Sequence, residues 1–195
     1  MLTILIGKSG CGKTAVMNKL TSKRKFLRFI TTTTRPVRKG EKDGITYDFT
    51  DKKTFFEGVK NDKFIEYRAY NTYCDGKPVT WYYGSPKKDL KKTRNYVIIL
   101  DIEGAEKFVK HYGKENCAVI YIDVPDDIRK ERAIKRGDFN EAEWNNRLEN
   151  DNLMFRQSEI IRVANFIISN TGDIEDTEKG VVNWIKTIKS RHSKA

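Results

Sequence analysis

Short apolar runs stand at Leu2–Ile6, Tyr96–Leu100, Ala118–Ile122 and Phe166–Ile168, without strict polar alternation. Runs of this kind predict strands covered on both faces, as in a parallel sheet. Between them the spacing becomes helical. Thr14–Leu20 follows a glycine-rich segment, and Ala105–His111 lies just beyond Leu100. Asp126–Lys135 opens on two acids directly after Pro125, a favourable helix start. Asn140 with Glu143 three residues on predicts an N-cap and its reciprocal partner. Near the end, Val181, Ile185 and Ile188 share one helical face. Strand and helix alternating in this way predict an α/β fold with a parallel central sheet.

One stretch departs from that rhythm. Thr31–Tyr83 is rich in Thr, Tyr, Phe and Gly and contains only short strand-like pieces. Cys74-Asp75-Gly76-Lys77 offers an Asp-Gly hairpin turn between aromatic segments. The expectation is a small, mixed β insertion able to move against the main sheet. The chain shows no internal repeat or low-complexity linker.

Composition narrows the class. The 195 residues are long enough to bury one sizeable core. Hydrophobic content of 38% beside 33% charged residues is that of a soluble globular protein. No run approaches the roughly 20 apolar residues of a membrane span. Met1 to Gly7 has no basic leader and no small-residue cleavage site, so it reads as a buried strand rather than a signal peptide. Cys11, Cys74 and Cys117 share no metal-type spacing, and their odd number argues against a disulfide framework. A reducing cytoplasmic setting follows as the expectation. His111 and His192 are the only histidines, which argues against metal ligation through nitrogen.

The net charge of +11 suits a polyanionic partner, either nucleic acid or nucleotide phosphates. Basic residues crowd Lys23 to Lys42, where Lys23, Arg24, Lys25, Arg28, Arg35, Arg38, Lys39 and Lys42 face the single acid Glu41. The basic end after Glu178 reads as a solvated helix terminus.

Gly7-Lys8-Ser9-Gly10-Cys11-Gly12-Lys13-Thr14 follows an apolar strand and precedes a helix, the context that gives a phosphate-binding loop its meaning. Glycines let successive N–H groups converge on one anion, and the helix N-terminus adds positive partial charge. Lys13 is positioned to reach the β- and γ-phosphates, and the Thr14 hydroxyl to ligate Mg²⁺. Asp101 ends the second apolar run, at the sheet edge where ligands bind in open α/β folds. It reads either as a hold on Mg²⁺ or its waters, or as the N-cap of the next helix.

Arg35 and Arg38, followed by Tyr47, form a candidate fork for a second phosphate. The plain reading of such a segment is a solvated basic loop. Two phosphate sites in one small chain point to a donor and an acceptor, and so to phosphoryl transfer rather than hydrolysis.

The block Thr33-Thr34-Arg35-Pro36-Val37-Arg38-Lys39-Gly40-Glu41-Lys42-Asp43-Gly44-Ile45-Thr46-Tyr47-Asp48-Phe49 resembles the signature of the guanylate kinase family, and the likeness extends from Leu2 to about Ile188. It implies a three-layer P-loop fold with a parallel central sheet (1–30, 93–124 and 160–195). It also implies a mixed-β acceptor-binding subdomain (31–92) and a helical lid (125–159). By the resemblance, Arg35, Arg38 and Tyr47 bind the GMP phosphate, and Thr31 falls at a guanine-contacting position. Phe64-Ile65-Glu66-Tyr67 is similar to the family's base-reading segment, with Glu66 accepting from guanine. Adenine lacks both of those donors and would leave the carboxylate buried and unpaired. Tyr82-Tyr83-Gly84-Ser85 likewise implies Tyr83 on phosphate and Ser85 near the base.

Arg129, Arg132 and Arg136 recur on one helical face, with Arg147 further on, a pattern that ordinarily marks a solvated charged surface. The resemblance assigns Arg132, Arg136 and Arg147 to a lid that neutralises phosphate charge, and leaves Arg129 on the solvated face. Asn170 resembles a family residue near the adenine of ATP. Two departures stand out. The segment between Glu66 and Tyr83 is about eight residues longer than in typical relatives, counted around the Asp75-Gly76 turn. Asp101-Ile102-Glu103-Gly104 is two residues shorter than the family's turn, which bears on Glu103 as a guanine reader.

The activity implied is ATP-dependent, Mg²⁺-assisted in-line phosphorylation of GMP or dGMP by a cytoplasmic monomer or homodimer. The nearest alternative is a kinase for another nucleoside monophosphate or a phosphorylated sugar. A non-catalytic interaction module of the same fold, or a nucleic-acid-binding role, ranks below it.

Overall fold

The computed structural model describes residues 1–22, 26–38, 40–74, 77–135, 137 and 139–192. The chain divides into two compact units, Met1–Leu27 with Lys92–Ala195, and Arg28–Lys91. In chain order, β1 (Leu2–Ile6) leads to α1 (Lys13–Ser22), β2 (Phe26–Arg28), β3 (Thr32–Thr33) and β4 (Asp48–Phe49). Next come α2 (Lys52–Lys60), β5 (Phe64–Cys74), β6 (Lys77–Pro86), β7 (Asn95–Ile99) and α3 (Ile102–Tyr112). The remainder is β8 (Cys117–Asp123), α4 (Asp126–Lys135), α5 (Glu141–Met154), α6 (Gln157–Val163), β9 (Phe166–Ser169) and α7 (Ile174–His192).

The larger unit is built on a sheet of order β2-β7-β1-β8-β9. β1 pairs in parallel with β7 and β8, from Leu2↔Tyr96 and Leu2↔Cys117 onward, and β8 pairs in parallel with β9. Every residue of β1 is buried, which is why its sequence lacks polar alternation. Leu5, Val97 and Ile120 of the sheet pack with Val16 and Leu20 of α1 and with Val181 and Ile185 of α7. The parallel sheet and its covering helices match the expected α/β class.

The smaller unit carries a sheet of order β4-β3-β6-β5. β3 runs parallel to β4 and antiparallel to β6, so the sheet is mixed as expected. One element there differs from the sequence reading, which saw only strand-like pieces. Residues Lys52–Lys60 form α2, started by Asp51, whose carboxylate accepts from Thr54 N at 2.8 Å and from Thr54 Oγ1 at 3.0 Å. Phe55 of α2 stacks on Phe64 of β5 with ring centroids 4.9 Å apart, fixing the helix to its own sheet.

β5 and β6 form a long antiparallel hairpin, paired from Cys74↔Lys77 to Glu66↔Ser85 with an irregularity between Phe64 and Glu66. Glu66 and Ser85 are direct partners in this register. The Asp75-Gly76 turn itself lies outside the described residues, as do Lys23, Arg24, Lys25, Lys39 and Arg136.

Two helix starts sharpen the expectation. α3 begins at Ile102, earlier than the apolar spacing suggests, because Asp101 accepts from Gly104 N at 2.8 Å. Asn140 caps α5 by accepting from Glu143 N at 2.9 Å. The Glu143 carboxylate turns forward to Arg147 rather than back to Asn140, so the reciprocal half of the expected pair is replaced by an i,i+4 ion pair.

Candidate active site

β1 runs straight into the glycine-rich loop. Gly7 has φ of +149°, and a Cβ there would lie 2.7 Å from Ile122 O and 2.9 Å from Cys11 Sγ. Gly12 has φ of +91°, with the amide of Asn170 only 2.4 Å from where a Cβ would sit. Neither position has the space or the backbone angle for a side chain. α1 starts at Lys13, so its first amides open into the loop, the arrangement that favours an anion.

The Lys13 ammonium lies back across this loop, donating to Gly7 O at 2.7 Å and Lys8 O at 3.0 Å. Cys11 is wholly buried beneath it, and Thr14 is exposed on the first turn of α1. Asn170 is 3% exposed, and both ends of its amide are engaged. Its Nδ2 donates to Cys11 O at 2.8 Å and its Oδ1 accepts from Thr177 Oγ1 at 3.0 Å. The Asn170 side chain thus braces the loop from below. Arg132, half-buried on α4, donates to Asn170 O at 2.7 Å, which places its guanidinium beside Gly12. Arg147 sits on α5 in its pair with Glu143.

Arg129 corrects the sequence reading most sharply. Instead of lying on a solvated face, it is fully buried and donates to Ser9 O at 2.6 Å, Asp126 Oδ1 at 2.6 Å and Asp151 Oδ2 at 3.1 Å. Burial draws the Asp126 carboxyl upward, but Arg129 and Lys8 overcome this and hold it below its ordinary value. Lys8 reaches Asn152 Oδ1 at 2.7 Å, and Ser9 N donates to Asp151 Oδ2 at 2.7 Å. Three loop-binding residues, Arg129, Asp151 and Asn152, were thus missed. Only Arg129 had a sequence signal, its place on the arginine face, and that pattern does not distinguish buried from exposed.

At the C-terminal end of β7, Asp101 caps α3 and Glu103 pairs with Lys107 at 2.6 Å. Both line a cavity of about 330 Å³ whose other walls include Leu153, Met154 and Arg156. Among the described residues, no group of three or more His, Cys, Asp or Glu converges as a metal cage.

In the smaller unit, Arg35 is 5% exposed and grips Glu41 through two bonds, Nη1 to Oε2 at 2.8 Å and Nη2 to Oε1 at 2.7 Å. Its guanidinium also lies 5.3 Å from the ring centre of Tyr47. The carboxylate raises the Arg35 pKa further, and Arg35 in turn holds Glu41 below the ordinary carboxylate range. Tyr47 packs edge-on to Tyr83, and burial raises the Tyr47 phenol. Arg38 is exposed, its backbone N donating to Glu41 Oε2 at 2.8 Å. The expected fork therefore has one buried arm, engaged with Glu41, and one arm in solvent.

Glu66 and Ser85 are 8% and 1% exposed and face each other across the hairpin, with Ser85 Oγ donating to Glu66 Oε1 at 2.5 Å. Arg68 Nε lies 3.8 Å from Glu66 Oε2. Thr31 is half-buried just before β3. Arg35, Tyr47, Tyr83, Glu66 and Ser85 are thus carried by one small mixed sheet and the turn between β3 and β4.

A sequence model described as guanylate kinase matches residues 1–187. Among similar proteins, the guanylate kinase of Helicobacter pylori (strain ATCC 700392 / 26695) is 29% identical over 97% of this chain and 88% of its own. That of Chlorobium chlorochromatii is 30% identical over 94% of this chain and 95% of its own. The crystal structure of guanylate kinase from Anaplasma phagocytophilum shares 26% identity and a TM-score of 0.64, covering 96% of this chain and 85% of that one. Since the matched span takes in nearly all of both units and every site residue described above, the chain belongs to the guanylate kinase family.

Proposed function

We propose that this protein transfers the γ-phosphoryl group of ATP to GMP or dGMP, giving ADP and the guanosine diphosphate. The observation that carries the acceptor assignment is the buried Glu66–Ser85 pair within the same small unit as Arg35, Tyr47 and Tyr83. A buried carboxylate oriented by a hydroxyl is an acceptor for two neighbouring donors. Guanine offers them at N1–H and its 2-amino group, and adenine does not. Thr31 and Glu103 complete the proposed base-reading set, and Arg35, Arg38, Tyr47 and Tyr83 the phosphate-reading set.

The donor half is the loop Gly7, Lys8, Ser9, Gly10, Cys11, Gly12, Lys13 and Thr14, with Asn170 as its brace. The Lys13 ammonium, now on loop carbonyls, moves onto the β- and γ-phosphates when ATP binds. Arg132, Arg136 and Arg147 neutralise charge as it spreads over the transferring group. The acceptor oxygen is already anionic, so positioning and charge neutralisation suffice without a general base. Residues 31–92 serve as the acceptor-binding part and 125–159 as the lid.

The oxygen donors present fit a Mg²⁺ ion that is held largely by nucleotide phosphates and water rather than by a protein cage. The exposed Thr14 hydroxyl would bind it directly, and Asp101 through water. When bound, Mg²⁺ screens the β- and γ-phosphate oxygens. No helix among the described residues is long and apolar enough to cross a membrane. We place the enzyme in the cytoplasm as a monomer or homodimer.

A coupled assay of ADP release with GMP, dGMP, AMP, CMP, UMP and dTMP tests the reading. Turnover confined to GMP and dGMP is expected, and equal rates with AMP and GMP would overturn the guanine assignment.

A further inference from the structure

Two successive peptides of the donor loop, those that meet at the Ser9 Cα, are gripped together. Ser9 N donates to Asp151 Oδ2 at 2.7 Å, and Ser9 O accepts from Arg129 Nη1 at 2.6 Å. The same Nη1 meets Asp151 Oδ2 at 3.1 Å, closing a triangle around Ser9, while Ser9 Oγ donates to Asp151 Oδ1 at 3.3 Å. Arg129 is fully buried and Asp151 is 8% exposed. Arg129 also reaches Asp126 with Nη2 at 2.6 Å and lies over the Trp144 ring at 5.4 Å. The start of α4 presses directly on the loop as well. A Cβ at Gly10, where φ is +81°, would lie 3.1 Å from Arg129 O.

A buried ion pair carries a desolvation cost that an apolar pair of the same volume avoids. Apolar side chains would join α4 to α5 equally well. They cannot fix the direction of a particular N–H and of a particular C=O. Phosphate binding by this loop depends on the direction of its amides, and the two peptide planes that meet at Ser9 set the course of the chain from Gly10 to Thr14.

We infer that Arg129 and Asp151 are positioning residues for the donor nucleotide: they fix the two peptides that meet at Ser9, and with them the phosphate-facing amides, to α4 and α5. The inference rests on the donor-loop reading given under Proposed function. It implies that ATP affinity depends on two side chains that touch no phosphate.

The test compares wild type with Asp151→Ala, Asp151→Asn, the double variant Arg129→Leu/Asp151→Ala, and Lys130→Ala as a control. The control removes an exposed ion pair between α4 and α5 and the ammonium over the Phe139 ring. MgADP affinity is measured by calorimetry, and KM for ATP and for GMP by steady-state kinetics. Asp151→Ala is expected to weaken MgADP binding and raise KM for ATP about ten- to hundredfold, with KM for GMP unchanged. Asp151→Asn should recover part of the loss, because its amide oxygen still accepts from Ser9 N. Lys130→Ala should match wild type.

Where the single variant leaves the buried Arg129 with Asp126 as its one carboxylate and does not fold, the double variant decides, since it removes both members of the Arg129–Asp151 pair. A folded double variant with MgADP affinity within about twofold of wild type overturns the inference, whatever its melting temperature. Wild type that binds MgADP but leaves GMP unphosphorylated overturns the acceptor assignment instead, and the calorimetric comparison still judges Arg129 and Asp151.

Discussion

Ser85 donates its hydroxyl proton to Glu66 at 2.5 Å across the β5–β6 hairpin, and both side chains are buried. The bond occupies one oxygen and fixes the plane of the carboxylate, which decides where a base edge can be read. Replacing Glu66 with Gln keeps the shape but turns one acceptor into a donor. Glu66→Gln is expected to lower kcat/KM for GMP roughly 10- to 100-fold, the range for losing a hydrogen bond to a charged group. KM for ATP should stay unchanged. Steady-state kinetics with each substrate varied in turn checks the split, and a loss shared equally by both substrates would speak against base reading.

The Arg35–Glu41 pair gives a pH signature. Hydrogen bonds from Arg35, the leading cause, hold the folded-state Glu41 pKa below its ordinary value of 4.5. The unfolded chain therefore binds that proton more readily than the folded one. The stabilisation is present above about pH 4.5 and is lost as pH falls through the lowered folded value. Melting temperature measured from pH 3 to pH 7 should show an acid limb that is shallower in Glu41→Gln than in wild type. Parallel acid limbs would mean the pair contributes nothing to the balance.

The features legible in the sequence are those set by neighbours along the chain. The donor loop is one, because Gly7 to Thr14 and the strand before them are contiguous and their backbone needs are local. Glu66 opposite Ser85 is less so: they are 19 residues apart, and their meeting depends on the register of the whole β5–β6 hairpin. Arg129 and Asp151 were not legible. Helical spacing places Arg129 on a face with Arg132, yet burial of that face depends on α5, and Asp151 meets Ser9 across 142 residues of chain. The same holds for α2, which stands on Asp51 as its cap and on Phe55 stacked against Phe64, within a stretch whose composition favours strands.

Cysteine reactivity separates the three thiols. Cys11 and Cys117 are buried and Cys74 is exposed. Burial pushes the Cys117 thiol up to about 12, so its thiolate is scarce at neutral pH. A thiol reagent near neutral pH should therefore label one equivalent rapidly in the native protein, and Cys74→Ser should remove that phase. Three equivalents should react only after denaturation. Fast labelling that survives Cys74→Ser would mean that a buried cysteine opens readily to solvent.

Lys13 offers the most direct test of the donor half. In the structure its ammonium satisfies the carbonyls of Gly7 and Lys8 at 2.7 Å and 3.0 Å, contacts that stabilise the nucleotide-free loop. Transfer requires the ammonium to leave them for the phosphates, so its value to catalysis is electrostatic and appears as charge develops. Lys13→Met keeps much of the side-chain volume and removes the charge. Losing one preorganised cationic contact of this kind is expected to lower kcat on the order of 100-fold or more. KM for GMP should change little. Folding should be preserved, since an exchange of similar volume at a half-buried position leaves the core around β1 and α1 intact. Near-normal kcat in a folded Lys13→Met variant would show that this loop is not where ATP is held for transfer.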